Sequence, residues 1–252
     1  MERRTLPGRL TWQLGEVVTT QPETARTKSI TLIVPNWMGH QAGQHVDVRL
    51  TAADGYQAER SYSIASPPEE APRVTLTVER LDDGEVSPYL TEELRVGDKL
   101  ELRGPIGGYF VWEAQMGGPL LLVAGGSGIV PLMAMLRHRA AAGGSVATRL
   151  LDSSRSYADI IYRDELDRLD QADQMLEVVQ TLTRGQPPGW TGYHRRIDTD
   201  MLREVAWPSE QYPQMYICGP TPFVETAAAS LVTLGYEPAR IKTERFGPTG
   251  EA

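Results

Sequence analysis

The chain has 252 residues, room for one or two domains, with 40% hydrophobic and 23% charged residues; this balance excludes fibrous and wholly disordered classes. A formal charge of −8, from 25 Lys+Arg against 33 Asp+Glu, gives no clustered-cation basis for binding nucleic acid. The one cysteine, Cys218, excludes an intrachain disulfide, a four-thiolate zinc site and an iron-sulfur cluster held by four cysteines of this chain.

Met1 to Arg9 is charged and lacks the apolar stretch of a signal peptide, so a cytoplasmic location is expected. Six short alternating or β-branched runs follow, at Leu10–Thr20, Lys28–Val34, Gln44–Leu50, Arg60–Ala65, Arg73–Arg80 and Lys99–Arg103. Punctuated by Gly, Pro and Asp, they predict an antiparallel barrel or sandwich. One helical interruption is expected at Ser87–Leu94, with Ser87 as cap and Pro88 at the first helical position.

Ala114 to Leu136 carries no charge over 23 residues, long enough to cross a bilayer, yet it holds five glycines and two prolines. It therefore reads as strand, turn and helix, and no membrane insertion is expected. From here apolar bursts (Leu120–Ala124, Thr148–Leu151, Leu176–Leu182, Met215–Cys218) alternate with helical stretches (Pro131–Ala142, Tyr162–Leu169, Thr199–Val205, Thr221–Leu234). That alternation predicts a parallel sheet with crossover helices. The last helix is delimited by Thr221 as N-cap, Pro222 in its first turn and Gly235 beyond its end. The seam between the two patterns falls at Glu113–Pro119. His40, His45, His138 and His194 show no ligand spacing, so no metal is expected; Arg137-His138-Arg139 reads as an exposed helix end.

Four stretches carry chemistry. Leu120-Leu-Leu-Val-Ala-Gly-Gly-Ser-Gly-Ile-Val-Pro131 runs from a buried strand through a glycine turn into a helix N-terminus, which suits a dinucleotide's pyrophosphate. Pro131 stands where the usual dinucleotide fingerprint has its third glycine. The Cys218-Gly-Pro220 turn ends a second strand, and in a parallel sheet both turns face one crevice. Arg60 and Tyr62 share one strand face, with Ser61 and Ser63 on the other; an arginine beside an aromatic suits an aromatic, phosphorylated ligand. Gly84-Glu-Val-Ser87 offers another helix start to a pyrophosphate.

In this order, these stretches resemble the ferredoxin-NADP reductase superfamily from about Thr11 to Phe246. Further shared features are Gly104-Pro-Ile-Gly-Gly-Tyr-Phe110 and the terminal Glu244-Arg-Phe246. The resemblance implies an antiparallel Greek-key β-barrel flavin domain over 8–113 and an α/β parallel-sheet NAD(P)-binding domain over 114–252. It implies FAD as cofactor, with FMN a narrower rival. Arg60 would hold the FAD pyrophosphate, Tyr62 would pack on the isoalloxazine and Ser63 would bond near N5, with Ser61 in the same motif. Backbone at Thr77, Val78, Glu79 and at Gly84, Glu85, Val86, Ser87 would cradle the rest. Gly126, Ser127 and Gly128 would meet the nicotinamide nucleotide, and Cys218, Gly219 and Pro220 would border the nicotinamide. Glu244 would serve proton handling or nicotinamide positioning, and Phe246 would cover the flavin's second face and act as a gate. Ser63, Cys218, Glu244 and Phe246 thus form the expected catalytic set.

Thr183-Arg184 matches the pair that grips a 2′-phosphate in NADP-using relatives, with Ser154-Arg155 nearby and Arg195 or Arg196 as a second cation. NADPH is favoured, with NADH possible. The sequence ends at Ala252 and its one cysteine cannot hold a cluster, so the expected acceptor is external: a ferredoxin, a flavodoxin or an oxygenase component. Tyr109, Arg137, Arg139, Arg3 and Arg4 are candidates for its docking surface. The alternative is a non-catalytic flavin- or nucleotide-binding electron-transfer subunit, or a reductase domain of a larger assembly.

Overall fold

The computed structural model describes residues 10–247. Arg3, Arg4 and the start of the expected flavin domain at Gly8 lie outside the described residues, as do 248–252.

Six antiparallel strands occupy the first half: β1 (Trp12–Pro22), β2 (Thr27–Ile33), β3 (His45–Thr51), β4 (Gln57–Ser63), β5 (Arg73–Glu79) and β6 (Lys99–Ile106). Their order is β4-β3-β6-β1-β2-β5. A bridge between Ile64 and Leu76 brings the two edge strands together, which gives the sheet its barrel form. Alternate residues point inward, so Ile30, Leu32, Val46, Val48, Val74, Leu76 and Val78 fill one apolar core.

The second half is a parallel sheet of β7 (Leu120–Gly125), β8 (Thr148–Ser156), β9 (Leu176–Gly185), β10 (Gln214–Pro220) and β11 (Ile241–Phe246), ordered β11-β10-β7-β8-β9. All six residues of β7 are buried because helices cover both faces. Leu120, Leu122 and Ala124 pack on the side of α1 (Ile129–Ala141) and α2 (Arg163–Ala172). Leu121 and Val123 pack on the side of α3 (Thr199–Val205) and α4 (Thr221–Thr233). The uncharged stretch at 114–136 is thus a central strand, a turn and part of a helix, and among the described residues no helix is long and apolar enough to cross a membrane.

Several local expectations are corrected. The expected helical interruption is present over 87–93, with a wide π turn at Tyr89–Glu93, but Ser87 lies within it and does not cap it: its Oγ accepts from the Leu81 amide (3.0 Å). Thr221 begins α4 rather than capping it; Pro220 holds the cap position without a side-chain bond. Tyr162 does not begin α2 but precedes it in the left-handed region, with φ 59° and ψ 24°. β11 lies beyond the predicted strands because an edge strand tolerates polar residues; only Ile241 of its six is buried.

The Arg137–Arg139 segment is not an exposed helix end. Arg139 is 2% exposed and pairs with Asp173, while His138 is buried with its Nδ1 2.6 Å from Glu69. Arg137 chelates Glu165 through Nε (2.9 Å) and Nη2 (2.6 Å), and Nη1 donates to the Ala65 carbonyl in the barrel. These cations hold the molecule's interior together, which removes Arg137 and Arg139 from the expected docking surface. Tyr109 remains 63% exposed.

Candidate functional site

A cleft of about 1190 Å³ runs between the two sheets. From the barrel, Arg60, Ser61, Tyr62 and Ser63 of β4, Thr77 and Glu79 of β5, and the loop Gly84, Glu85, Val86, Ser87 line it. From the parallel sheet come Gly126 and Ser127 after β7, Ser154 and Arg155 of β8, Thr183 and Arg184 of β9, Pro220 of β10 and Phe246 of β11. These are the carboxyl ends of the parallel strands, where ligands of open α/β sheets bind.

On the barrel side, Ser61 Oγ donates outward to Asp47 Oδ1 (2.7 Å), opposite in sense to Tyr62, as strand alternation requires. Tyr62 is half-buried, and that desolvation pushes its phenol up to about 12, so the ring is neutral. The Arg60 guanidinium is more than half exposed and lies 3.5 Å from Glu85, whose other oxygen accepts from Tyr56 (2.8 Å). The Val78 side chain is fully buried in the barrel core, so only its backbone can serve a ligand.

On the other side, two glycines of the turn have opposite uses. A Cβ on Gly128 would stand 2.1 Å from the Cys218 carbonyl oxygen, so this glycine permits β10 to pass against the helix start. Gly126 has φ +55° and a Cβ there would meet nothing within 4 Å, which leaves an open backbone cradle. The ring of Phe223, unsuspected from sequence, lies where Cβ atoms of Gly125 and Gly219 would be, at 2.9 and 2.7 Å. Two glycines ending adjacent strands are the signal that room for such a ring exists.

Cys218 and Gly219 do not line the cleft, although Pro220 does. The Cys218 side chain is 2% exposed, and burial, reinforced by Glu244, raises its thiol well above the ordinary range. Cys218 and Glu244 are register partners on β10 and β11. Burial pushes the Glu244 carboxyl up to about 7, and its Oε2 is buried without a hydrogen-bond partner. Its Oε1 lies 4.0 Å from Nδ1 of His45, which is register-paired with Ser63 in the barrel. His45 thus joins Ser63 and Glu244 across the two sheets, a contact between residues remote in sequence.

At the cleft's far end, Arg155, Arg184 and Arg196 all line the wall. Arg195, the other candidate, is engaged by Asp198 (2.7 Å). Thr24, Arg26 and Thr27 at the β1–β2 turn also line the cleft, and Arg26 is held by the Arg80 carbonyl and Asp82. Nothing in the local pattern of that turn marks it as part of a site.

A dinucleotide and a flavin need such features together: length, an open backbone cradle at a helix start, cations for phosphate, and an aromatic beside them. The residues present fit both. Residues 16–111 match the oxidoreductase FAD-binding domain family and residues 122–229 the oxidoreductase NAD-binding domain family. Ferredoxin–NADP reductase B of Sorangium cellulosum is 38% identical over 182 residues, covering 71% of this chain and 73% of the relative. The glycine betaine monooxygenase reductase subunit of Chromohalobacter salexigens is 32% identical over 82% of this chain, which spans only 56% of that relative's length. Among solved structures, the flavohaem-like FAD/NAD-binding domain of nitric oxide dioxygenase from Vibrio cholerae superposes with a TM-score of 0.83 at 26% identity, covering 94% of this chain and 99% of that one. With its antiparallel barrel, its five-stranded parallel sheet and the cleft between them, the chain belongs to the ferredoxin reductase-type family of FAD- and NAD-binding oxidoreductases.

Proposed function

We propose that this chain takes hydride from NADPH onto FAD and passes single electrons to a separate protein, a ferredoxin, a flavodoxin or an oxygenase component. The observation that carries this reading is the continuity of the cleft from Arg60, Tyr62 and Ser63 to Gly126, Ser127 and the three arginines. Bound flavin would supply the conversion of a two-electron donor into one-electron steps. The barrel, taken as 8–113, would hold the flavin, and 114–252 the nicotinamide nucleotide.

In this reading Arg60 leaves Glu85 to pair with the flavin's diphosphate, Tyr62 packs on its ring and the Ser63 hydroxyl stands near the hydride-accepting edge. Backbone amides at Thr77–Glu79 and Gly84–Ser87 satisfy its remaining polar atoms. Gly126, Ser127 and the start of α1 bind the nucleotide's diphosphate, with Gly128 keeping β10 close. Pro220 would form the rim beside the nicotinamide, with Cys218 and Gly219 backing it from outside the cleft lining. Glu244 faces the ring's developing positive charge, and Phe246 occupies the place the nicotinamide must enter.

Arg184 with Thr183, and Arg155 with Ser154, would grip a 2′-phosphate, assisted by Arg196. NADPH is preferred over NADH on this ground, and a ferredoxin–NADP reductase among the relatives supports it. The oxygenase reductase relative supports an oxygenase component as one acceptor. A cytoplasmic location completes the reading, supported by the single cysteine.

The test is spectroscopic. Purified protein supplied with FAD is expected to turn yellow and to bleach on anaerobic addition of NADPH. Protein that stays colourless after FAD addition would exclude the flavoenzyme, and a yellow protein that neither NADPH nor NADH bleaches would leave the non-catalytic subunit in its place.

A further inference from the structure

Three hydroxyl groups and a carboxylate link the two sheets beneath the cleft. Tyr162, at the entrance to α2, donates from Oη to Thr77 Oγ1 on β5 (2.5 Å). Thr77 Oγ1 lies 2.8 Å from Ser29 Oγ on β2, and Ser29 donates to Glu23 Oε1 (2.6 Å). A carboxylate can only accept, so with Glu23 ionised the whole chain is polarised in one direction: Ser29 spends its proton on Glu23, Thr77 on Ser29 and Tyr162 on Thr77. Chains aligned in this way strengthen one another.

The Tyr162 backbone is held where a side-chain-bearing residue seldom rests, at φ 59°. Such a conformation persists only where the surroundings over-determine it. Here they do: the residue is 3% exposed and the Arg137 guanidinium stacks 4.9 Å from its ring centre. Arg137 itself reaches across to the Ala65 carbonyl. The cleft wall is built from the neighbours of this contact, Ile161 on one sheet and Thr77 on the other. The αL turn at Tyr162 therefore carries the chain from the cleft wall into α2 while aiming the phenol at the strand on which the flavin is proposed to rest.

We propose that Tyr162 is a positioning residue: through Thr77, and with Glu23 as anchor, it fixes the separation of the barrel half of the cleft from its nucleotide half. Hydride transfer depends steeply on that separation, since displacements on the order of 1 Å cost about 100-fold in rate. The inference rests on the flavin reading above, and its first test needs no cofactor.

In the apoprotein, a denaturant double-mutant cycle between Tyr162→Phe and Thr77→Val is expected to be strongly non-additive. Tyr162→Phe should raise the unfolding equilibrium constant about three- to tenfold, the range for one lost hydrogen bond; Thr77→Val, which loses the bond to Ser29 as well, should raise it more, and the double change little beyond Thr77→Val alone. In the flavin-loaded protein, Tyr162→Phe should lower kcat about tenfold, leave KM for NADPH within about twofold and weaken the long-wavelength charge-transfer absorbance of the stacked nicotinamide and flavin. Ser29→Ala, one link farther from the cleft, should lower kcat in the same direction by about threefold. Additive apoprotein effects would overturn the strut, and coupling with unchanged kcat and charge-transfer absorbance would overturn the positioning role. Wild-type protein that takes up no flavin would defeat the flavin reading before any variant is made, and the positioning role with it, while leaving the apoprotein cycle to report on the strut alone.

Discussion

Glu244 has one buried carboxylate oxygen that lacks any partner, and burial pushes its carboxyl up to about 7. Its proton is therefore exchanged within the neutral range. As hydride leaves a dihydronicotinamide the ring gains positive charge, which an ionised carboxylate stabilises and a neutral one does not. The rate of reduction by NADPH is expected to rise as pH passes through about 7, and Glu244→Gln to be slower by on the order of tenfold above that point with the rise abolished; a stopped-flow pH profile measures both. Phe246 lines the cleft at the end of β11, and Phe246→Ala is expected to alter the ratio of kcat/KM for NADPH to that for NADH; unchanged kinetics with both would remove the gating role. The motifs containing these residues are visible in the sequence, but His45 is not. It owes its place beside Glu244 to a sheet-to-sheet contact between residues far apart in the chain.

At the scale of the element, the turn from β7 to α1 separates a glycine needed by the protein from one available to a ligand. Gly128→Ala would force a Cβ onto the β10 backbone, so it should cost about 1–3 kcal/mol of stability. Gly126→Ala meets no atom but requires a positive φ, so its stability cost should be ~1 kcal/mol while nucleotide binding weakens further than stability does. Thermal unfolding beside a binding titration separates the two. β8 offers a third case, for Asp152 is fully buried with only Ser154 bonding it, and desolvation pushes its carboxyl up to about 7. The unfolded chain releases this proton near 4, so stability falls as pH rises from about 4 to 7 and then levels. Asp152→Asn abolishes that dependence, and its Tm should gain on the wild type across the same window. β8 and β9 also run past their apolar bursts, to Ser156 and Gly185. Their polar ends line the cleft, which is why hydropathy alone cut both strands short.

Over the whole molecule, the cleft joins two sheets that the sequence presents separately, and the arginines along its wall are the feature on which the proposed preference for NADPH rests. Arg184→Ala is expected to lower kcat/KM for NADPH by on the order of tenfold, the worth of one charge-assisted hydrogen bond, with little change for NADH; equal losses with both would overturn the preference. The sequence by itself determined the two periodicities, and hence an antiparallel barrel followed by a parallel sheet, together with the glycine turns that open at the strand ends. Those signals are short-range: alternation reports which face of a strand is buried, and a glycine reports a backbone that must bend or be approached. Only the tertiary structure decided that Arg137 and Arg139 are interior cations rather than surface ones, that Arg196 and not Arg195 faces the cleft, that Phe223 and Arg26 line it, and that His45 meets Glu244. Each of those outcomes depends on which carboxylate, ring or strand arrives opposite a side chain when two sheets close on one another. Tyr162 and Thr77 illustrate the limit, since their hydrogen bond spans 85 positions of sequence and exists only once both sheets are formed and packed.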